Sequence, residues 1–242
     1  MQMYGVADLD AYYRSVEGQK TARLIAQDIV PLWPDIPNLA EIAVGFPFAF
    51  LPDRRMPPVL MPARPGAAAW RGQSGILSAE IDPQHWPVAT DSLDRLLIAH
   101  ALEFAPDPAD FLREAARCLC GSGKLIMMVP HRGGLWVRSA RTPFGQGIPF
   151  SRGQLHRLLL ASGLQPTAYH RSLILPPATL ALPQSVQKSI ERVGGRFARV
   201  LGGVLLVEAT KMVYVKKDVR SAQGLRKLTK LQGKPALQRW QS

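Results

Sequence analysis

The sequence predicts an α/β domain with a mostly parallel sheet and helices on both faces. Three observations carry this. Short apolar runs alternate with helical patterns along the chain. "DRLLIAH" (94–100) and "KLIMMV" (124–129) are continuous apolar runs, as expected of strands covered on both faces. Between them lies an amphipathic helix, so strand, helix and strand form a βαβ unit within about 35 residues.

The elements follow in order. Residues 8–33 read as one or two helices with mixed faces, ended by "WPDIPN" (33–38). Apolar runs at 41–46, 58–62 and 76–81 read as short strands between turns. In "DPADFLREAARCLCGSGKLIMMVP", Asp107 can cap the helix and Pro108 fits its first position, where a missing N–H costs nothing. Phe111, Leu112, Ala115, Ala116 and Leu119 make its apolar face, and Gly121 is the expected stop. A helix at "SRGQLHRLLLASG" carries capping-box spacing between Ser151 and Gln154 and ends at Gly163. "TAYHRSLILPP" reads as a strand and "PQSVQKSIERVGGRFARVLG" as a helix with Val186, Ile190, Val193 and Phe197 inward. "GVLLVEATKMVYV" closes the domain as a strand. Ligands of such sheets bind beyond the carboxyl ends of the strands, so the loops after residues 46, 62, 82, 100 and 130 are the candidate site.

Composition bounds the partners. The 242 residues are 47% hydrophobic, with no apolar run near the ~20 residues a membrane helix needs. The opening "MQMYGVADLDAYY" has no basic segment followed by an apolar one, which argues against a secretory signal. Cys118 and Cys120 are too close to staple a fold, and no histidine stands at zinc spacing, so no metal site is expected. A cytoplasmic location fits these features. The net charge is +12, and residues 211–242, with nine basic residues and one acid, carry +8 of it. Such a tail can attract nucleic acid or an acidic protein, or can simply be solvated. The expected organisation is a domain over 1–215, including a helical segment over 1–37, and a basic, flexible tail over 216–242.

One stretch resembles a known family. "DPQHWPVATDSLDRLLIAHALEFAPDPADFLREAARCLCGSGKLIMMVPHR" (82–132) is similar to the class I S-adenosylmethionine-dependent methyltransferases, in particular their small type 11 branch. Trp86-Pro87-Val88 and Asp91-Ser92-Leu93-Asp94 follow that family's pattern, and "RTPFGQGIPFSRGQL" (141–155) resembles a segment near the acceptor side in one bacterial subgroup. The resemblance extends over roughly 38–215. It implies a Rossmann-like methyltransferase fold with an antiparallel last strand, and S-adenosylmethionine as cofactor.

The resemblance also implies roles. The turn at Gly45 and Phe46 would face the methionine part of the cofactor. Met61, near the end of the second strand, would approach the ribose. Asp82 would contact the adenine amine, and Ala99 and His100 would line the pocket at the end of the fourth strand. Two positions depart from the pattern. Ala43 stands where the family usually has glycine, and no acid ends the second strand in "VLMPARP". A ribose held without that carboxylate loses roughly 1.5–3 kcal/mol.

Methyl transfer depends on alignment of donor and acceptor more than on a strong base. His100 and His131 follow predicted strands on the ligand edge, so either can serve as a proton acceptor or as a hydrogen-bonded structural residue. Glu103 is placed to orient His100 or to cap a turn. Arg132, Arg138 and Arg141 are candidates to hold an anionic acceptor, or a solvated basic face. The cysteines read as packing residues. The two functional readings are a methyltransferase of unknown acceptor and a catalytically inactive methyltransferase-like module for nucleic acid or a protein partner.

Overall fold

The computed structural model describes residues 5–63, 76–174, 176–181 and 202–212. These residues belong to one compact unit, Met1–Met212. The helix expected at 182–201 and the tail at 216–242 lie outside the described residues.

Seven strands form one sheet in the order β3-β2-β1-β4-β5-β7-β6. They are β1 (Glu41–Gly45), β2 (Val59–Pro62), β3 (Ser78–Ile81), β4 (Leu93–Ala99), β5 (Leu119–Pro130), β6 (Leu164–Ser172) and β7 (Val204–Lys211). Strands β1 to β5 pair in parallel, and β7 runs antiparallel between β5 and β6. The order reverses between β1 and β4, which is where an open α/β sheet leaves a crevice.

The inner strands β1, β2, β4, β5 and β7 are largely apolar because both faces are covered, whereas the edge strands β3 and β6 are mostly exposed or half-buried. Successive side chains alternate between two cores, as the pleat requires. Ile42, Val44, Leu96, Ile98, Leu125, Met127, Leu205 and Val207 face one core, shared with the helices α3 (Pro108–Cys118) and α4 (Arg152–Ala161). Ala43, Met61, Leu97, Ala99, Ile126, Met128, Val204 and Leu206 face the other, shared with α1 (Val6–Arg14) and α2 (Val16–Leu32). The first helical region is thus two helices broken at Ser15, whose hydroxyl accepts the Gly18 N–H and caps α2. The link from β1 to β2 carries only a short 3-10 turn over Asp53–Arg55, and Phe46, Phe50 and Leu51 from this link complete the α1/α2 core.

Local capping signals were read correctly. Asp107 accepts the N–H groups of Ala109 and Asp110, and Pro108 opens α3. Ser151 and Gln154 form a reciprocal capping box on α4, and Gly163 follows that helix at φ +81°.

Two boundaries differ from expectation. Gly121 does not stop α3. Leu119 turns extended at the helix end, is fully buried, and pairs with Leu93, so the chain passes straight into β5. The strand expected at 167–177 begins earlier, at Leu164, directly after Gly163. It ends at Ser172 because Leu173 takes φ +52°, which breaks the ladder before "ILPP".

Candidate active site

The carboxyl ends of β1 and β4 are joined by backbone contact. Gly45 takes φ +96°, and the Phe46 N–H donates to the Ala99 carbonyl at 2.7 Å. Any side chain at Gly45 would put its Cβ 2.1 Å from that carbonyl oxygen and 2.9 Å from the Ala101 Cβ. Only glycine fits the turn that brings β1 onto the end of β4.

His100 is the next residue after β4. It is 0% exposed and adopts φ +51°. Its Nδ1 lies 2.9 Å from Glu103 Oε1 and its Nε2 lies 2.6 Å from the Tyr13 hydroxyl. With Nδ1–H donating to the carboxylate, Nε2 is the acceptor of the Tyr13 O–H. Tyr13, Phe50 and Phe144 surround the imidazole, with ring centroids 5.3–5.9 Å away. Tyr13 in turn stacks on Phe46. The chain therefore links α1, the β1 turn, the β4 end and the Glu103 turn through one buried cluster. Glu103 is itself buried, and its Oε2 has no hydrogen-bond partner among the described residues.

Of the two expected roles for His100, this geometry matches the hydrogen-bonded structural one. Both of its ring nitrogens are engaged inside the protein. Glu103 orients it, which was one of the two roles foreseen. Tyr13 was missed. Its signal was the "DAYYRS" aromatic pair on a helix, but nothing in sequence connects it to a histidine 87 positions away.

The other predicted residues fall as follows. Gly45, Phe46, Ala99 and His100 come together. Ala43 is fully buried two positions before the turn, facing the α1/α2 core, so its methyl is a packing group. Met61 is buried on the same face, and Pro62, not Met61, ends β2. No acid stands among Met61, Pro62 and Ala63. Asp82 follows β3 with its side chain 59% exposed. Its carboxylate accepts the Gln84 N–H at 2.9 Å and lies 3.3 Å from His85 Nδ1, and the first of these bonds holds it below the usual carboxylate range.

His131 follows β5 and is nearly buried. Its Nδ1–H donates to the Gly202 carbonyl at 2.9 Å, which leaves Nε2 as the basic nitrogen. Burial lowers its pKa, against the pull of that hydrogen bond, so the neutral form is the one favoured at neutral pH. Cys118 is buried and its thiol is pushed up to about 11, which suits a packing role.

The three arginines do not form one patch. Arg132 turns its guanidinium onto the Pro149 carbonyl, whereas Arg138 and Arg141 line a separate cavity. Lys211, counted with the tail, belongs to β7 and is held by Asp91 and the Leu119 carbonyl. Among the described residues there is no group of three or more metal-ligating side chains, and no helix long and apolar enough to cross a membrane.

Comparison with known proteins places this architecture. A family model described as "Methyltransferase domain" matches residues 66–127. A structure of an S-adenosylmethionine-dependent methyltransferase from Thermotoga maritima superposes with a TM-score of 0.62 at 18% identity, covering 85% of this chain and 95% of the other. The chain has the fold of this methyltransferase. The same fold is found in a geranyl diphosphate C-methyltransferase from Streptomyces coelicolor, solved with Mg2+, geranyl diphosphate and S-adenosyl-L-homocysteine, which gives a TM-score of 0.54 at 15% identity over 88% of this chain and 90% of that one. Uncharacterized proteins of Mycobacterium tuberculosis and Mycobacterium bovis are 30% identical over 183 residues, 71% of this chain. The chain spans 62% of the length of these curated relatives.

Proposed function

We propose that the chain is an S-adenosylmethionine-dependent methyltransferase that binds its cofactor at the carboxyl ends of β1 and β4. The observation that carries this reading is the Gly45 turn, which sits at the strand-order reversal and admits no side chain. The surrounding groups suit a sulfonium nucleoside. Phe46 and Tyr13 are buried and stacked on each other at this turn, which fixes its shape. Glu103 adds a buried carboxylate oxygen without a hydrogen-bond partner. Asp82, at the end of β3, remains the candidate adenine contact, and Met61 and Ala99 supply apolar wall.

The cofactor supplies an electrophilic methyl group. This chain's part is to align an acceptor with it and to exclude water. His100, fixed by Tyr13 and Glu103, holds the end of β4 in place. His131, with Nε2 free of its own hydrogen bond to the backbone, is the candidate proton acceptor at the end of β5.

The missing ribose carboxylate predicts weak binding. Loss of roughly 1.5–3 kcal/mol corresponds to about tenfold to a hundredfold in affinity. Calorimetric titration of the full chain with S-adenosylmethionine is expected to show saturable binding with a micromolar or weaker dissociation constant. No heat and no thermal shift at millimolar ligand would remove the enzyme reading and leave a non-catalytic binding module.

A further inference from the structure

A cavity of about 600 Å³ opens between α2 and the segment after β5. Its lining combines an apolar wall, including Val16, Leu135 and Pro177, with the cations Lys20, Arg138 and Arg141. Among the described residues of the lining, Glu17 is the one acid. The volume falls within the ~300–1,000 Å³ typical of sites for drug-sized ligands.

Three features argue that this is more than a surface fold. Arg138 and Arg141 are exposed, and neither has an acidic partner among the described residues. Two guanidinium groups close in sequence thus share a cavity that carries little compensating negative charge. Val16, 75% exposed, places an aliphatic group in the cavity's lining beside these cations. The third feature is position. Leu135 to Arg141 follow the carboxyl end of β5, on the ligand edge of the sheet. Trp136 packs on Phe144 at 5.5 Å, and Phe144 packs on His100 at 5.3 Å. One layer of rings therefore connects the cavity's own segment to the end of β4.

We infer that this cavity binds a small amphipathic anion, a phosphate or carboxylate head on an apolar body. The arginine forks match the oxygens of such a head, and the Val16, Leu135 and Pro177 surface takes the body. As the acceptor site the cavity rests on the methyltransferase reading; as a binding site it does not.

The test uses the full chain without cofactor. Octyl phosphate, below its micelle concentration, is titrated calorimetrically beside octanol and inorganic phosphate. Octyl phosphate is expected to bind at least tenfold more tightly than either. The double variant Arg138→Gln/Arg141→Gln should lose at least tenfold of that affinity with an unchanged melting temperature, because both side chains are exposed. Octanol or inorganic phosphate binding as well as octyl phosphate overturns the inference, as does a double variant that binds like the parent. Retention on phosphatidate vesicles that depends on Arg138 and Arg141, with no binding of monomeric octyl phosphate, also overturns it in favour of a lipid surface. Octyl phosphate binding without S-adenosylmethionine binding keeps the cavity and removes the enzyme reading; the reverse pattern removes the cavity alone.

Discussion

Gly45→Ala is expected to destabilise the fold by about 2–5 kcal/mol in urea denaturation, from a left-handed-backbone cost of about 1–2 kcal/mol and an overpacking cost of about 1–3 kcal/mol. That is a large share of the ~5–15 kcal/mol available to a typical domain. The new methyl would lie 2.1 Å from the Ala99 carbonyl oxygen, a backbone atom that cannot rotate aside. Relief requires β1 and β4 to part at the switch point, so cofactor binding should be lost in the same variant. Gly163→Ala is the matched control. Gly163 has φ +81° but nothing within 4 Å of the added Cβ, so only the conformational cost of about 1–2 kcal/mol applies. Equal losses for the two variants would mean that the close approach at Gly45 carries no energy.

The second large effect concerns the His100 cluster. His100→Asn tolerates the positive φ but cannot reach both Tyr13 and Glu103. It leaves a buried carboxylate without its donor, at an expected cost of about 2–5 kcal/mol. Glu103→Gln should change sign with background. In the parent it destabilises, because it weakens a charge-assisted bond and adds a buried donor where Oε2 now has no partner. In the His100→Asn background it stabilises by about 1 kcal/mol or more, because it removes the stranded charge. A double-mutant cycle by denaturation reads this directly. Additive effects would show that the two residues are not coupled.

How far the sequence revealed this molecule depended on the range of each interaction. Asp107, Pro108, Ser151 and Gln154 satisfy backbone groups within a few residues of themselves, so their roles were legible. The continuous apolar runs of β4 and β5 were legible because both faces of these strands are buried. Gly121 misled because the deciding force was not local: Leu119 is drawn into the sheet by its pairing with Leu93. The same holds at the site. Gly45 stood out as the one glycine in a strand-ending turn. The buried state of His100 did not, since it depends on Tyr13, far away in sequence, and on the rings of Phe50 and Phe144 from two other segments. Arg132, Arg138 and Arg141 are neighbours in sequence, yet the Pro149 carbonyl draws the first away from the other two.

The central claim is that the cofactor occupies the β1/β4 switch point. It is tested most directly by methyl NMR of the full chain labelled at alanine and methionine, titrated with S-adenosylhomocysteine, which binds without turnover. Ala99 and Met61 lie on the α1/α2 face of the sheet, whereas Ala115 and Ala116 belong to α3 and pack on the other. Saturable shifts at Ala99 and Met61, with Ala115 and Ala116 unmoved, are the predicted result. No shift at millimolar ligand, or shifts confined to Ala115 and Ala116, would contradict it.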